Sequence, residues 1–126
     1  MASKIGSTLS TLAGWIGTLL VAAVFCMSAA MKLSHNPKMV PMMAQLGWSE
    51  PMMTPLAVLE LACVALYLLP TTAVLGAVVL TGYLGGAIAT HVRVGQPVYI
   101  HVALGLLIWG GIYLREPRLR QILPKR

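Results

Sequence analysis

Residues 52–92 read MMTPLAVLELACVALYLLPTTAVLGAVVLTGYLGGAIATHV: two apolar runs joined by Pro70-Thr71-Thr72 and holding a single charged residue, Glu60. Each run approaches the about 20 apolar residues that a helix needs to cross a bilayer. A connection this short leaves room only for a tight turn, so the stretch predicts an antiparallel hairpin of two membrane spans, over residues 52–69 and 73–92. Pro51 and Pro55 fall near the first turn of the leading span, where a missing N–H is not needed, and Ser49 stands where an N-cap would.

The same pattern extends on both sides. Residues 5–31 carry no charge, and 11–31 are long enough for a first span. Lys4 and Ser28-Ala29-Ala30 resemble the start and cleavage site of a signal peptide, but the apolar region exceeds the ~7 to 15 residues usual there, so a span is the reading. Gly95-Gln96-Pro97 breaks the chain before a fourth span over 98–114, and 115–126 reads as a basic, solvated tail. Residues 32–51 mix Lys32, His35, Lys38 and Glu50 with Met39, Met42, Met43 and Trp48, which predicts a short helix lying at the membrane interface. Small residues recur every four positions, at Gly14, Thr18, Ala22, Cys26 and Ala30 and again at Ala77, Thr81, Gly85 and Ala89, marking faces for close helix contact. The expected fold is all-α: an integral membrane four-helix bundle, antiparallel and up-down, forming one domain over 1–126.

Composition agrees. The chain of 126 residues is 58% hydrophobic and 10% charged, with a mean hydropathy of +0.82, whereas a soluble domain carries roughly 25% charged residues. Three acidic residues cannot dress a water-facing surface around so much apolar material. This excludes a soluble enzyme, a disordered tail and a secreted disulfide scaffold. The net charge of +6 comes from residues set between and after the apolar blocks, so they read as membrane-end anchors and nucleic acid is not an expected partner. Six basic residues on the terminal side against three on the other predict both termini in the cytoplasm, for what is expected to be a multi-pass inner-membrane protein. Cys26 and Cys63 lack a redox or zinc spacing and read as small buried hydrophobes.

The polar residues cluster by depth. Lys32 ends the first span, His91 and Arg93 end the third, and His101 lies one turn into the fourth, all on the side away from the termini. Glu60 stands nine positions past Pro51, about 13 Å along the helix and near the midplane. A carboxylate there costs ~2.5 to 3.5 kcal/mol even on lenient insertion scales, so it must find a partner inside the bundle. Two readings stay open. In one, Glu60, Lys32 and His91, with Arg93, His101 and Tyr83, form the polar end of a cavity for a lipophilic ligand; in the other they form a network that fixes helix registry. If the protein is an enzyme, Glu60 is the acid or base and His91 its partner. The Tyr83 hydroxyl needs a partner at mid-membrane, and Glu60 matches it in depth. Tyr67, Tyr99, Tyr113, Trp15 and Trp109 read as interface belts. No metal-ligand spacing, P-loop, nucleophile elbow or dinucleotide fingerprint is present in the sequence.

Taken in order, Ser28-Ala29-Ala30-Met31-Lys32-Leu33, Ala44-Gln45-Leu46-Gly47-Trp48, Leu59-Glu60-Leu61 and Gly86-Ala87-Ile88-Ala89-Thr90-His91-Val92-Arg93-Val94-Gly95 resemble the DoxX-like family of small four-helix integral membrane proteins. The resemblance implies the four-span fold and a link to quinone-connected sulfur oxidation or membrane oxidative-stress systems; related animal proteins act as assembly chaperones. A lipophilic quinone-like molecule, a membrane redox partner or a second copy of the chain are the partners it implies, beside the bilayer. Gln96 replaces a frequent acid after Gly95, and Thr71-Thr72 occupies a turn that relatives often make basic.

Overall fold

The computed structural model describes residues 2–122, and within them every regular element is helical. Helix α1 runs Ala2–Leu33, α2 Met39–Gln45, α3 Met53–Leu68, α4 Ala73–Arg93, α5 Tyr99–Arg115 and α6 Pro117–Ile122, with a 3-10 turn at Glu50–Met52 leading into α3. Three segments are long and apolar enough to cross a membrane: Thr8–Leu33, Glu50–Leu68 and Ala73–Arg93, with mean hydropathies of 2.0, 1.7 and 1.7. The apolar α5 has 17 residues, about 26 Å of helix, near the lower limit for a span.

α1, α3, α4 and α5 form an antiparallel bundle whose register is set by cross-helix pairs. Lys32 meets Glu60 while Thr18 lies near Tyr67, His91 stacks on His101 while Trp109 bonds Thr81, and Gly14 abuts Arg115 while Thr18 faces Gly111. The core joins Val21, Phe25, Val64, Tyr67, Leu80, Leu84, Ile108 and Ile112. The outer faces carry exposed Leu12, Leu19, Val58, Leu75, Val78 and Leu106, a surface suited to lipid and untenable in water.

Packing differs between the two ends. Near the termini, a Cβ on Gly14 would lie 2.6 Å from the Arg115 nitrogen and 2.7 Å from the Gly111 carbonyl, and one on Gly76 would overlap the Tyr67 backbone. Here α1 meets α5 and α3 meets α4 backbone to backbone, as small residues permit in a membrane. The Tyr67 hydroxyl donates to the Ile108 carbonyl at 2.6 Å across this tight half. Toward the opposite end, where the α1–α3 and α4–α5 connections lie, Phe25, Lys32, Glu60, Tyr83 and the two histidines hold the helices apart around a cavity.

Several expectations need correction. The helix that carries the first span is longer than the span itself, starting at Ala2 and running through Gly6 without a break. Ser49 makes no side-chain cap bond; the chain enters α3 through Glu50-Pro51-Met52 in a tighter 3-10 turn. Gly14, Thr18 and Ala22 are buried as predicted, but Cys26 and Ala30 are exposed, as are Thr81, Gly85 and Ala89 beyond buried Ala77. A step of four residues turns about 400°, so such a stripe drifts by about 40° at each step and leaves the contact face after two or three. The buried row on α1 instead continues through Phe25, Ala29 and Lys32. Tyr67 is fully buried rather than interfacial. The expected solvated tail contains α6, with Leu119 packed in the core, and Arg115 is buried: its guanidinium lies 4.5 Å over the Trp15 ring and 4.6 Å over Tyr67, and bonds the Tyr67 carbonyl. Residue 1 and residues 123–126 of that tail lie outside the described residues.

Candidate functional site

Side chains on a helix lean toward its N-terminus, so Lys32, in the last turn of α1, reaches back down the bundle instead of out to the surface. Its Nζ donates to Ser28 Oγ at 2.6 Å, one turn earlier, and to Glu60 Oε1 at 3.2 Å. The two charged side chains retain 8% and 3% of their exposure, a buried ion pair. The Ser28 and Tyr83 side chains line the same cavity beside the Glu60 carboxylate. Phe25 packs edge-on against Tyr83 with ring centroids 6.2 Å apart, fixing the phenol ring that faces Glu60.

The cavity that holds this pair measures about 510 Å³, inside the usual range for a small-molecule site of ~300 to 1,000 Å³. Lys32, Glu60, Tyr83, His91 and His101 all line it. His91 Nδ1 donates to the Ala87 carbonyl at 2.6 Å, since a carbonyl only accepts, which leaves Nε2 as the ring nitrogen available to a ligand. The His101 ring lies 4.2 Å from that of His91, tilted by 50°, and its buried Nδ1 has no hydrogen-bond partner among the described residues. A cover of Met39, Met42, Met43, Leu46 and Trp48 from α2 and its following turn closes the loop end. Thioethers make this surface adaptable. Among the described residues no group of three or more His, Cys, Asp or Glu is placed to hold a metal ion.

Arg93 does not line the cavity. Its guanidinium donates to the Leu46 carbonyl at 2.6 Å and sits against Gly47, whose φ of +91° is a left-handed conformation that favours glycine. Arg93 therefore pins the α2 cover to the end of α4, and Gln96 approaches Gln45 across the same junction at 3.5 Å. On the other flank, His35 contacts Glu50 at 3.3 Å and Thr54 at 3.3 Å, tying the start of the cover to the base of α3. Ser28 joined the site without having been singled out; its place four residues before Lys32 on one helix face was the available signal.

An apolar groove runs along the outside of α4 and α5, past Gly85, Ile88, Leu106, Trp109 and Tyr113. It offers little polar surface to orient a ligand, in contrast to the cavity.

The DoxX-like family model matches residues 16–111, which include α3, α4, most of α1 and α5, and every residue of the site. No curated protein and no solved structure matches the chain. With the ordered motifs, the bundle and this match in agreement, the chain is a membrane protein that belongs to the DoxX-like family.

Proposed function

We propose that the protein holds a lipophilic, quinone-like small molecule in the loop-end cavity, as an accessory to a membrane redox or detoxification system. The observation that carries the reading is the buried Lys32–Glu60 pair forming part of the wall of a cavity large enough for a ligand. An ion pair in low dielectric is often no more stabilising than apolar side chains of the same volume, so registry alone is a weak reason to keep one. Placed beside open volume, the Lys32 ammonium and the Tyr83 hydroxyl can donate to the carbonyl oxygens of a polar head, and Glu60 and His91 Nε2 can accept from its hydroxyls when it is reduced, while the Met and Leu side chains cover the rest. Purification in mild detergent followed by native mass spectrometry tests this. Wild type should retain a small lipophilic species that Glu60→Gln loses; an empty protein, or bulk lipid in both forms, moves the weight to a scaffold subunit that packs against other membrane proteins.

A second reading is favoured by one fact: Glu60 and His91 face the same cavity. In that reading they act as acid and base on a lipophilic substrate, as in an isomerisation. Turnover with a bell-shaped pH profile, lost in both Glu60→Gln and His91→Asn, separates it from a binder.

The whole chain is read as one four-span domain of the inner membrane, with both termini cytoplasmic. Burial of Arg115 removes one basic residue from the terminal side and burial of Lys32 removes one from the other, taking six against three to five against two and keeping the bias. Reporter tags at residue 1 and within residues 34–43 should report opposite sides.

A further inference from the structure

The cavity is not walled on every side. On α4, Gly82 and Gly86 stand about one turn apart, line the cavity and are exposed, and a Cβ built on either meets no atom within 4 Å. Across the seam, Leu56 and Leu59 of α3 line the same cavity, and Leu59 is 51% exposed. Six residues before Gly82, by contrast, Gly76 presses directly on the α3 backbone at Tyr67. The two helices thus touch near their connecting turn and have parted by the level of Gly82.

The depth of the gap decides what passes through it. Gly86 and Gly82 lie seven and eleven residues before Arg93, about 10 and 16 Å down the helix axis. Both levels fall within a hydrocarbon layer of about 30 Å. Small residues in membrane helices ordinarily serve close helix contacts, and these two glycines make none, although glycine disfavours a helix by about 1 kcal/mol relative to alanine. Their missing side chains leave the α4 edge of the cavity uncovered.

We propose that this gap is a lateral opening to the bilayer, and that the ligand is a long-chain amphiphile whose head lies among Lys32, Glu60 and Tyr83 while its aliphatic chain leaves between Leu59 and the Gly82–Gly86 edge. The proposal rests on the cavity reading above and adds the class of molecule and its route. A compact, chainless ligand needs no such gap; a chain-bearing one gains contact with both helix edges and the surrounding lipid.

The test uses two probes with the same head in protein reconstituted in lipid nanodiscs: a benzoquinone with a ten-carbon chain and a methyl-benzoquinone. Gly82→Trp and Gly86→Trp fill the opening, and both replace glycine by a better helix former, so the fold is retained and is checked by the unfolding midpoint. The expected result is that either substitution weakens the long-chain probe by about tenfold or more, as losing two buried methylenes would, with methyl-benzoquinone affected less than about twofold; Lys32→Met and Tyr83→Phe, each of which removes a donor to a quinone carbonyl, weaken both. Equal effects of the tryptophans on the two probes, or none on the long-chain one, overturn the lateral opening while leaving the cavity reading standing. Failure of both probes to bind wild type, or binding indifferent to both Lys32→Met and Tyr83→Phe, overturns the cavity reading and the opening with it.

Discussion

Replacing Lys32 by Met should be among the more damaging single changes that leave the tight half of the bundle intact. The ammonium makes two bonds, to Ser28 at 2.6 Å and to Glu60 at 3.2 Å, and the side chain it serves is only 3% exposed. Met preserves most of the volume and the apolar stem but leaves the Glu60 carboxylate without its cation. Removing one partner of a buried pair costs about 3 to 5 kcal/mol, since the other charge stays desolvated. Glu60→Gln keeps a hydrogen-bonding amide opposite the lysine and should cost about 1 to 3 kcal/mol. The double variant leaves neither charge, so its cost should fall short of the sum of the two by about 2 kcal/mol or more. Unfolding by SDS in mixed micelles, applied to the four proteins as a double-mutant cycle, measures the coupling directly. If the two costs add to within about 0.5 kcal/mol, the residues do not act as a pair and the geometry assigned to the site is wrong.

Three other outcomes follow from particular contacts. Arg93→Ala removes the bond to the Leu46 carbonyl, so hydrogen exchange should accelerate over residues 39–47 while the bundle midpoint barely moves; unchanged exchange would mean that Arg93 does not hold the cover. Gly76→Val forces a side chain against the Tyr67 backbone and should destabilise by about 1 to 3 kcal/mol or more, whereas Gly82→Val, with open space around it, should be close to neutral in the same SDS titration. Equal effects would contradict the divergence of α3 and α4. Tyr67→Phe deletes the hydroxyl that reaches the Ile108 carbonyl and should cost about 0.5 to 1.5 kcal/mol, with ligand retention unaffected because Tyr67 does not line the cavity.

The four long helices were legible because apolar runs of span length, cut by Pro70-Thr71-Thr72 and Gly95-Gln96-Pro97, leave few alternatives. The charged pair was legible for a related reason: Glu60 is isolated in an apolar run, and Lys32 is the cation at the right end of the neighbouring span. Properties that depend on which helix faces which were not. Arg115 follows an apolar run just as an interfacial anchor does; only the arrival of Trp15 from α1 and Tyr67 from α3 makes it a buried cation. Its spacing from Leu104, Ile108 and Ile112, three and four residues apart along one face, was the trace left in the sequence. Arg93 was grouped with the cavity on depth, yet its partner lies 47 positions away in the turn after α2, a pairing that no local pattern encodes. The small-residue stripes were read with a period of four where the helix turns every 3.6, so they were right for two steps on α1 and for one residue on α4.

The cavity itself can be interrogated through one reporter. Trp48 lines it, while Trp15 sits over Arg115 and Trp109 borders the outer groove. Titrating the ten-carbon benzoquinone into the nanodisc protein and following indole fluorescence therefore measures occupancy at the cover. The expected result is saturable quenching in wild type, absence of that saturable component in Trp48→Phe, and a midpoint raised by about tenfold in Lys32→Met, as the loss of a charged hydrogen bond of about 1.5 kcal/mol from the ammonium to a quinone carbonyl requires. Quenching that rises without saturation, or a midpoint that Lys32→Met leaves in place, would contradict a ligand held at the Lys32–Glu60 pair.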